Sequence, residues 1–338
     1  MKIVIAGAGI GGLTAALALH QAGFNAEVFE QASEMRELGV GINMLPHAVK
    51  ELAALGLLPA LERAGVRTRR LLYMTRRGQT VWEEPRGLDA GYDVPQISIH
   101  RGKLQGVLHR AAVERLGADR IHPGHRLVGF EERGAGVVAH FERRADGGSV
   151  EVTGDVLISD GSQPPPRRED WSRPGRLDEA LPFVRNAFDL PFVDPIALIT
   201  ATDTFYEYPC CDRDPVPRRS FGRVTLLGDA AHPMYPTGSN GASQAILDAR
   251  SLAEHLTSGA SITEALTSYD AERRPATAAI VLSNRRGGPE RVIDVIEARA
   301  PDGFDDLDAV ASYAEREAIV RGYATLAGYA QDQVSRKR

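Results

Sequence analysis

The sequence predicts an α/β protein, and three observations support that class. The chain opens on a short apolar run over 2–6, followed by a glycine-rich turn and a helical pattern. A second apolar run at 223–227 leads through another glycine-rich turn into a long helical pattern over 243–256. From 286 onward the apolar residues recur with the period of amphipathic helices. The two apolar runs are typical of strands that are buried on both faces of a sheet.

The bulk composition is that of an ordinary globular protein. The 338 residues are 43% hydrophobic and 25% charged, and the net charge of -5 argues against a nucleic-acid partner. The only two cysteines, Cys210 and Cys211, are adjacent, which favours a reducing compartment over a disulfide framework. Glycines at 7, 9, 11 and 12 interrupt the first apolar segment, so a signal peptide is disfavoured. We therefore expect a cytoplasmic protein with no integral membrane association.

The first glycine-rich turn has the spacing of a dinucleotide-binding motif. Gly7, Gly9 and Gly12 form G-x-G-x-x-G between the first strand and its helix, and the next strand ends at Glu30. Gly7 permits the tight turn, Gly9 leaves room for a pyrophosphate, and Gly12 lets the helix approach the strand. The helix that starts at Ile10 presents free N–H groups to phosphate, and Glu30 can accept hydrogen bonds from ribose hydroxyls. This pattern predicts a Rossmann-type domain for FAD or NAD, because Glu30 would repel a 2′-phosphate.

The apolar run at 223–227, with the turn and helix that follow it, forms a second candidate part of the dinucleotide-binding site. Its strand ends in Gly228-Asp229, which places one carboxylate at the edge of the sheet where ligands of α/β folds bind. The glycine-rich turn then offers backbone N–H groups just before the long helix. Its candidate residues are Pro236, Gly238, Asn240 and Gly241.

Four motifs in order resemble one family. These are the first G-x-G-x-x-G unit, Arg101 in its segment 98–104, the Asp160-Gly161 pair, and the Gly-Asp-Ala-Ala-His-Pro and Pro-x-Gly-x-Asn-Gly runs over 228–241. Together they resemble the FAD-dependent aromatic hydroxylases, the class A flavoprotein monooxygenases similar to p-hydroxybenzoate hydroxylase. Within that family, segments 38–43, 82–87 and 241–248 look most like a phenazine monooxygenase that acts on 5-methylphenazine-1-carboxylate. The resemblance covers 2–160 and about 169–285.

The resemblance implies bound FAD, with NADH or NADPH as a transient co-substrate and O2 as the oxidant. A small aromatic substrate, phenazine-like or phenolic and carboxylated, would be hydroxylated through a flavin C4a-hydroperoxide. No catalytic side chain and no metal site are expected, because the flavin carries the chemistry. His232 is interpreted as a packing residue rather than an acid–base group. A related flavoenzyme that performs epoxidation or reduction, and a non-catalytic FAD-binding protein, are the alternatives.

The resemblance also implies individual roles at the cofactor. Asp229 would hold the ribityl or pyrophosphate region, and Arg101 would reach the pyrophosphate or the flavin. Arg36 would lie at the adenosine end, and Asp160 would lie close to the cofactor. Gly238, with Asn240 and Gly241, would lie against the isoalloxazine, where the helix N-terminus stabilises negative charge at the N1/O2 edge.

The predicted architecture has three parts: a Rossmann-type FAD-binding domain, an interleaved mixed β-sheet substrate domain and C-terminal helices. The FAD-binding domain is assigned to 1–70, 97–162 and 215–285, the substrate domain to 71–96 and 163–214, and the helices to 286–338. Strand-like runs at 71–74, 79–82 and 204–208 belong to the substrate sheet. The aromatic candidates for its pocket, each also explicable as core packing, are Tyr73, Trp82, Phe205 and Tyr235.

The substrate domain is shorter than in the family. Between Asp160-Gly161 and Asp170-Trp171 only a short proline-rich stretch remains, where family members hold several dozen more residues. Either the sequence omits an internal segment of a longer chain, or the protein lacks those strands. The first explanation is favoured, because removing central strands would expose apolar edges and unpaired backbone groups.

Overall fold

The computed structural model describes residues 1–35, 39–160, 174–202, 205 and 210–335. The strands of these residues are β1 Lys2–Ala6, β2 Asn25–Glu30, β3 Gly41–Met44, β4 Val66–Thr68, β5 Arg70–Met74, β6 Thr80–Pro85, β7 Gln96–His100, β8 Ile121–Pro123, β9 His125–Arg133, β10 Gly136–Arg143, β11 Ser149–Gly154, β12 Val156–Ser159, β13 Ser220–Phe221 and β14 Val224–Leu226. Their helices are α1 Ile10–Gln21, α2 Pro46–Ala54, α3 Leu58–Ala64, α4 Arg101–Leu116, α5 Leu177–Ala187, α6 Pro195–Thr200, α7 Gly241–Thr257, α8 Ile262–Asn284, α9 Arg291–Arg299, α10 Leu307–Val310, α11 Tyr313–Leu326 and α12 Gln331–Val334.

The central sheet confirms the predicted fold class. Its strand order is β13-β14-β12-β1-β2-β8, with β1 parallel to both β2 and β12, and β12 parallel to β14. After Lys2, strand β1 is apolar and buried, because both of its faces are covered. Ile3 and Ile5 pack in the core that includes α1, α4 and α7, whereas Val4 and Ala6 pack against the antiparallel sheet β9–β11. The carboxyl ends of β1, β12 and β14 therefore meet at one edge of the sheet.

The predicted strands at 71–74 and 79–82 form the hairpin β5–β6, in which Tyr73 is paired with Trp82. The hairpin packs on the C-terminal helices, where Trp82 shares a buried cluster with Val292 and Val320. The amphipathic helices predicted for the C-terminal part are thus present, and their apolar faces cover the hairpin.

Part of the expected substrate region lies outside the described residues. This holds for the short segment 161–169 and for most of the strand expected at 204–208. Residues 174–202 form α5 and α6, and the Asp189 N–H donates to the Arg76 carbonyl at 2.9 Å beside the turn of the hairpin. Among the described residues, β5 and β6 of the hairpin are the only strands that lie mainly within the ranges assigned to the substrate domain. No helix in the described part of the chain is long and apolar enough to cross a membrane.

Candidate active site

In the first glycine-rich turn, a Cβ at Gly9, Gly11 or Gly12 would come within 3 Å of a neighbouring atom. Gly7 has φ +119° and donates its N–H to the Phe29 carbonyl at 2.7 Å. A Cβ at Gly12 would overlap the carbonyl oxygen of Gly7, so helix α1 lies directly against the turn. No side chain caps the start of α1 at Gly9. The turn and the helix N-terminus therefore have the shape that a pyrophosphate requires, and of the N–H groups in the first turn of α1 the one of Gly12 is bound to Asp160.

Asp160 lies in this glycine cradle. Its Oδ2 accepts a hydrogen bond from the Gly12 N–H at 2.7 Å. A Cβ at Gly9, Gly11 or Gly228 would come within 2.5–2.6 Å of its carboxylate oxygens. Burial raises the pKa of Asp160 well above its usual value, against the lowering effect of the Gly12 N–H, and the charges of Asp229 and Glu30 raise it further. Asp160 therefore lies against both glycine-rich segments, at Gly9–Gly12 and at Gly228. Because its pKa is raised, its carboxyl group loses the proton at a higher pH than an exposed carboxyl group does.

The raised pKa of Asp160 predicts a pH dependence of stability. The free energy of unfolding is expected to be fully retained below the ordinary carboxyl pKa and to fall as pH rises through the raised folded-state value. The slope approaches about 1.4 kcal/mol per pH unit where this group alone titrates. The measurement is urea unfolding of cofactor-free protein across pH, with Asp160→Asn as the comparison. The Asn variant should lack this slope; an unchanged slope would show that Asp160 is not its source.

Polar groups surround the same edge of the sheet. Glu30 accepts from the Ala8 N–H through Oε2 and from the Ala32 N–H through Oε1, each at 2.8 Å. Gln105 donates to the Ala8 carbonyl at 2.7 Å, so its side chain also supports the turn. Gln105 was missed from the sequence, although it stands four residues after Arg101 on the same helix face.

The remaining charged candidates differ in placement. Arg101 is exposed at the first position of α4, and its charge lowers the pKa of Asp160. Asp229 is exposed in the short helical turn that follows β14. Arg36 lies outside the described residues. Arg101, Asp160 and Asp229 are thus brought to one place, as their motifs suggest.

The second glycine-rich turn adopts a left-handed conformation. Gly238 has φ +67°, and the following Ser239 has φ +54°, which is uncommon for a residue with a side chain. Asn43 of β3 donates to Ser239 Oγ at 3.3 Å, and the Glu290 carboxylate accepts from the Gly238 N–H at 3.0 Å. Burial raises the pKa of Glu290, and the hydrogen bond from Gly238 lowers it in part. The turn is therefore held from two sides before α7 begins at Gly241.

A buried ionic network lies beneath this turn. Asp248 of α7 is 0% exposed and contacts Arg273 at 2.8 Å, Arg219 at 3.2 Å and His232 at 2.6 Å. Its Oδ2 also accepts from the Gly228 N–H at 3.2 Å. Burial alone would raise the pKa of this carboxyl, but His232, Arg273 and Arg219 hold it well below its usual range. The network fixes α7 to the start of the Gly-Asp turn. His232 is buried in this network beside Asp248, and its interpretation as a packing residue stays a prediction.

A neutral polar contact extends this network toward α2. Gln244 accepts from Arg273 at 2.7 Å and lies 3.4 Å from His47 Nε2. Burial, together with the charge of Arg273, lowers the pKa of His47 to about 3. His47 is therefore uncharged at neutral pH. Asp248, Gln244 and His47 had no predicted role, because their partners come from distant parts of the chain.

The four aromatic pocket candidates occupy different surroundings. Tyr73 is half-buried, and burial followed by the charge of Glu290 raises its pKa above the usual value. Trp82 is 2% exposed and stacks on Tyr313 at 5.3 Å between ring centroids, so it lies in the core beside the C-terminal helices. Phe205 lies against Gly175, and the Tyr235 carbonyl accepts from Asn284 at 3.0 Å. The structure pairs only Tyr73 with Trp82, and their role in a pocket stays a prediction.

Comparison with known proteins defines the class. The model of the FAD binding domain family matches residues 1–169 and 214–283. The phenazine 1,6-dicarboxylic acid hydroxylase PhzS of Lysobacter antibioticus is 39% identical over 371 residues, covering 86% of this chain and 91% of the relative. The 3-hydroxybenzoate 6-hydroxylase of Polaromonas naphthalenivorans is 28% identical over 386 residues, covering 90% of this chain and 94% of the relative.

A solved structure supports the same fold. Klebsiella pneumoniae HpxO complexed with FAD and uric acid has a TM-score of 0.69 and 24% identity, covering 97% of this chain and 96% of that one. The two sequence alignments are longer than the 338 residues of this chain, so each relative has residues without a counterpart here.

Fold, site and comparisons define an FAD-dependent monooxygenase of the aromatic-hydroxylase class. The chain belongs to the FAD binding domain family of these hydroxylases. The predicted resemblance to this family and to its phenazine-acting members is confirmed.

Proposed function

We propose that the protein hydroxylates a carboxylated fused-ring aromatic of the phenazine class in the cytoplasm, using NADH or NADPH and O2. The observation that carries this proposal is the 39% identity to a phenazine dicarboxylic acid hydroxylase across 86% of the chain. The relatives that act on single-ring hydroxybenzoates support the same reaction type at lower identity, such as 28% for the 3-hydroxybenzoate 6-hydroxylase.

The residues at the sheet edge fit FAD. In this proposal the N-terminus of α1 and the Gly9 backbone bind the pyrophosphate, and Glu30 binds the adenosine ribose. Arg101 and Asp229 lie toward the middle of the cofactor, and Arg36 toward its adenosine end. Gly238, Asn240 and Gly241 lie against the flavin ring in this proposal, and Pro236 belongs to the same turn. The structural feature that fits this assignment is the close packing at Gly12, where a Cβ would overlap the backbone carbonyl oxygen of Gly7.

Bound FAD supplies the redox chemistry, accepting a hydride from NAD(P)H and activating O2 for insertion into the ring. The overall reaction consumes one aromatic C–H, one O2, one NAD(P)H and one proton, and yields a phenol, water and NAD(P)+. The protein's part is to bind and orient. The hairpin β5–β6 with Tyr73 and the region assigned to the substrate domain, 71–96 and 163–214, would cover the substrate and exclude water.

Substrate-coupled turnover tests the proposal. FAD-reconstituted protein is mixed with NADH or NADPH under air, and O2 uptake is followed with phenazine-1,6-dicarboxylate or with 3-hydroxybenzoate. We expect the phenazine to accelerate O2 uptake and to gain the mass of one oxygen atom, with less effect from the benzoate. Equal rates with and without every aromatic would contradict hydroxylation and favour a non-catalytic FAD-binding role. A product that gains oxygen by epoxidation, or gains only hydrogen, would indicate the related flavoenzyme chemistries.

A further inference from the structure

The turn over 236–240, which the proposed site places against the flavin, contains a serine in a conformation that suits glycine. Ser239 has φ +54°, and in the described parts of the chain it is the one residue other than glycine with a positive φ. Its N–H donates to the Pro236 carbonyl at 3.0 Å, a hydrogen bond that a glycine would make equally well. Glycine would also adopt this φ without the steric cost that a Cβ brings. The reason for a serine here therefore lies in its side chain.

The Ser239 hydroxyl is bound to Asn43 of β3. Asn43 Nδ2 donates to Ser239 Oγ at 3.3 Å, the only polar contact of that hydroxyl among the described residues. Ser98 Oγ donates to Asn43 Oδ1 at 2.6 Å, and Thr68 Oγ1 lies 2.7 Å from the Ser98 hydroxyl. Because the oxygen of the Asn43 carboxamide accepts from Ser98, its nitrogen is the atom left to face Ser239. The four side chains form a continuous polar chain from β4 through β7 and β3 to the turn.

This polar chain connects two parts of the proposed cofactor site. Asn43 and Ser98 are directly paired in the ladder between β3 and β7, and β7 leads straight into α4, whose first residue is Arg101. The Arg101 N–H donates to the carbonyl of Val40, immediately before β3, at 2.9 Å. The strands that carry Asn43 and Ser98 therefore also position Arg101, which lies toward the middle of FAD in the proposed site. Ser239 belongs to the turn at the flavin ring.

We propose that Asn43 is a positioning residue for FAD, which fixes the turn at the flavin relative to Arg101 by holding the Ser239 hydroxyl. Asn43 acts through Ser239 and not by contact with the cofactor. A ligand that reaches both places binds more tightly when their separation is preset, because less of its binding free energy goes into ordering the protein. The inference rests on the proposed flavin site and not on the identity of the aromatic substrate.

Removing the Asn43 carboxamide is expected to weaken FAD binding moderately. In Asn43→Ala the turn loses its hydrogen bond to β3 but keeps the one that the Gly238 N–H donates to Glu290. We expect FAD to bind on the order of fivefold more weakly, the effect of losing one neutral hydrogen bond. Ser239→Ala removes the other partner of the same contact and should weaken binding in the same way. In the double variant the second substitution should add less than about twofold, because the contact is already absent.

The experiment measures FAD affinity by flavin fluorescence for Asn43→Ala, Ser239→Ala and the double variant. Visible circular dichroism of the bound flavin reports a change in its placement, which a loss of overall stability alone would not produce. Asn25→Ala is the matched control, because Asn25 is exposed at the start of β2 and its side chain makes no hydrogen bond in the described structure. Urea unfolding identifies any variant that is misfolded.

Ser98→Ala keeps the inference testable if Asn43→Ala does not fold. It leaves the Asn43 carboxamide in place and removes only the hydrogen bond that orients it. We expect a smaller loss of FAD affinity than in Asn43→Ala, and no further loss once Ser239 is alanine.

Two results would overturn the inference. One is a folded Asn43→Ala protein that binds FAD as tightly as Asn25→Ala does. The other is an equal loss on replacing Asn43 in the native and Ser239→Ala backgrounds, which would show that Asn43 does not act through Ser239. None of these measurements uses an aromatic substrate or NAD(P)H, so failure to hydroxylate a phenazine leaves the result for Asn43 interpretable.

Discussion

The Asp248→Asn variant is expected to lose about 3–5 kcal/mol of unfolding free energy, because breaking a buried ionic network leaves unpaired charge in the core. Asp248 is the shared anion of Arg219 and Arg273, which are only 1% and 6% exposed. An amide keeps the shape and one acceptor but cannot balance two guanidinium groups. Typical domains have about 5–15 kcal/mol of stability in total, so this single change is severe.

The measurement is urea unfolding of cofactor-free protein followed by circular dichroism. Glu254→Gln is the matched control, since Glu254 lies on the same helix and pairs with Arg250 at 2.7 Å with more than half of its side chain exposed. Such exposed pairs contribute about 0–1 kcal/mol. If Asp248→Asn unfolded at the same urea concentration as Glu254→Gln, the network would not be a major source of stability.

Acid unfolding tests the stabilising contribution of Asp248 independently of the urea measurement. The pKa of Asp248 is lowered in the folded state, so its contribution is present above the unfolded pKa, about 3.9, and is lost as pH falls toward the folded value. The native protein should therefore lose stability more steeply below that pH than Asp248→Asn does. Parallel acid-unfolding curves would contradict the assignment.

The features that were predictable from sequence are those encoded within one short segment. The turn at Gly7–Gly12 and the strand that ends at Glu30 needed only local spacing, and the structure has both. The position of Gly228-Asp229 at the edge of the sheet was also predictable from one short segment, because a buried strand leads directly into it. Parallel strands place their carboxyl ends at one edge, so these separate motifs had to converge.

The features that sequence reasoning missed depend on contacts between distant segments. The place of Asn240 at the flavin stays a prediction, but its hydrogen bond to Tyr323, 83 residues further along the chain, was not predicted. The spacing of residues in the sequence indicates which of them lie in the same turn. It does not indicate which distant residue a side chain hydrogen-bonds to. In the same way, nothing near Trp82 indicates that helices after residue 290 bury it. Contacts of this kind arise from tertiary packing, which overrides local pattern.

The Gly12→Ala variant is expected to bind FAD on the order of a hundredfold more weakly, a loss of about 2.7 kcal/mol of binding free energy. A Cβ at residue 12 would overlap the Gly7 carbonyl oxygen, which is backbone and cannot rotate away. Helix α1 must therefore move off the turn, and its N–H groups move with it. The Gly12 N–H that holds Asp160 at 2.7 Å is displaced by the same movement.

Flavin content after purification and FAD titration by fluorescence measure the effect. Gly129→Ala in β9 is the control, because a Cβ there meets nothing within 4 Å and the residue does not have a positive φ. Circular dichroism and urea unfolding separate a folded protein with a distorted cradle from an unfolded one. A folded Gly12→Ala protein that bound FAD as tightly as Gly129→Ala would mean that the pyrophosphate does not depend on this turn. The flavin would then have to be held chiefly from the Gly228-Asp229 side, where the buried Asp248 of α7 accepts a hydrogen bond from the Gly228 N–H.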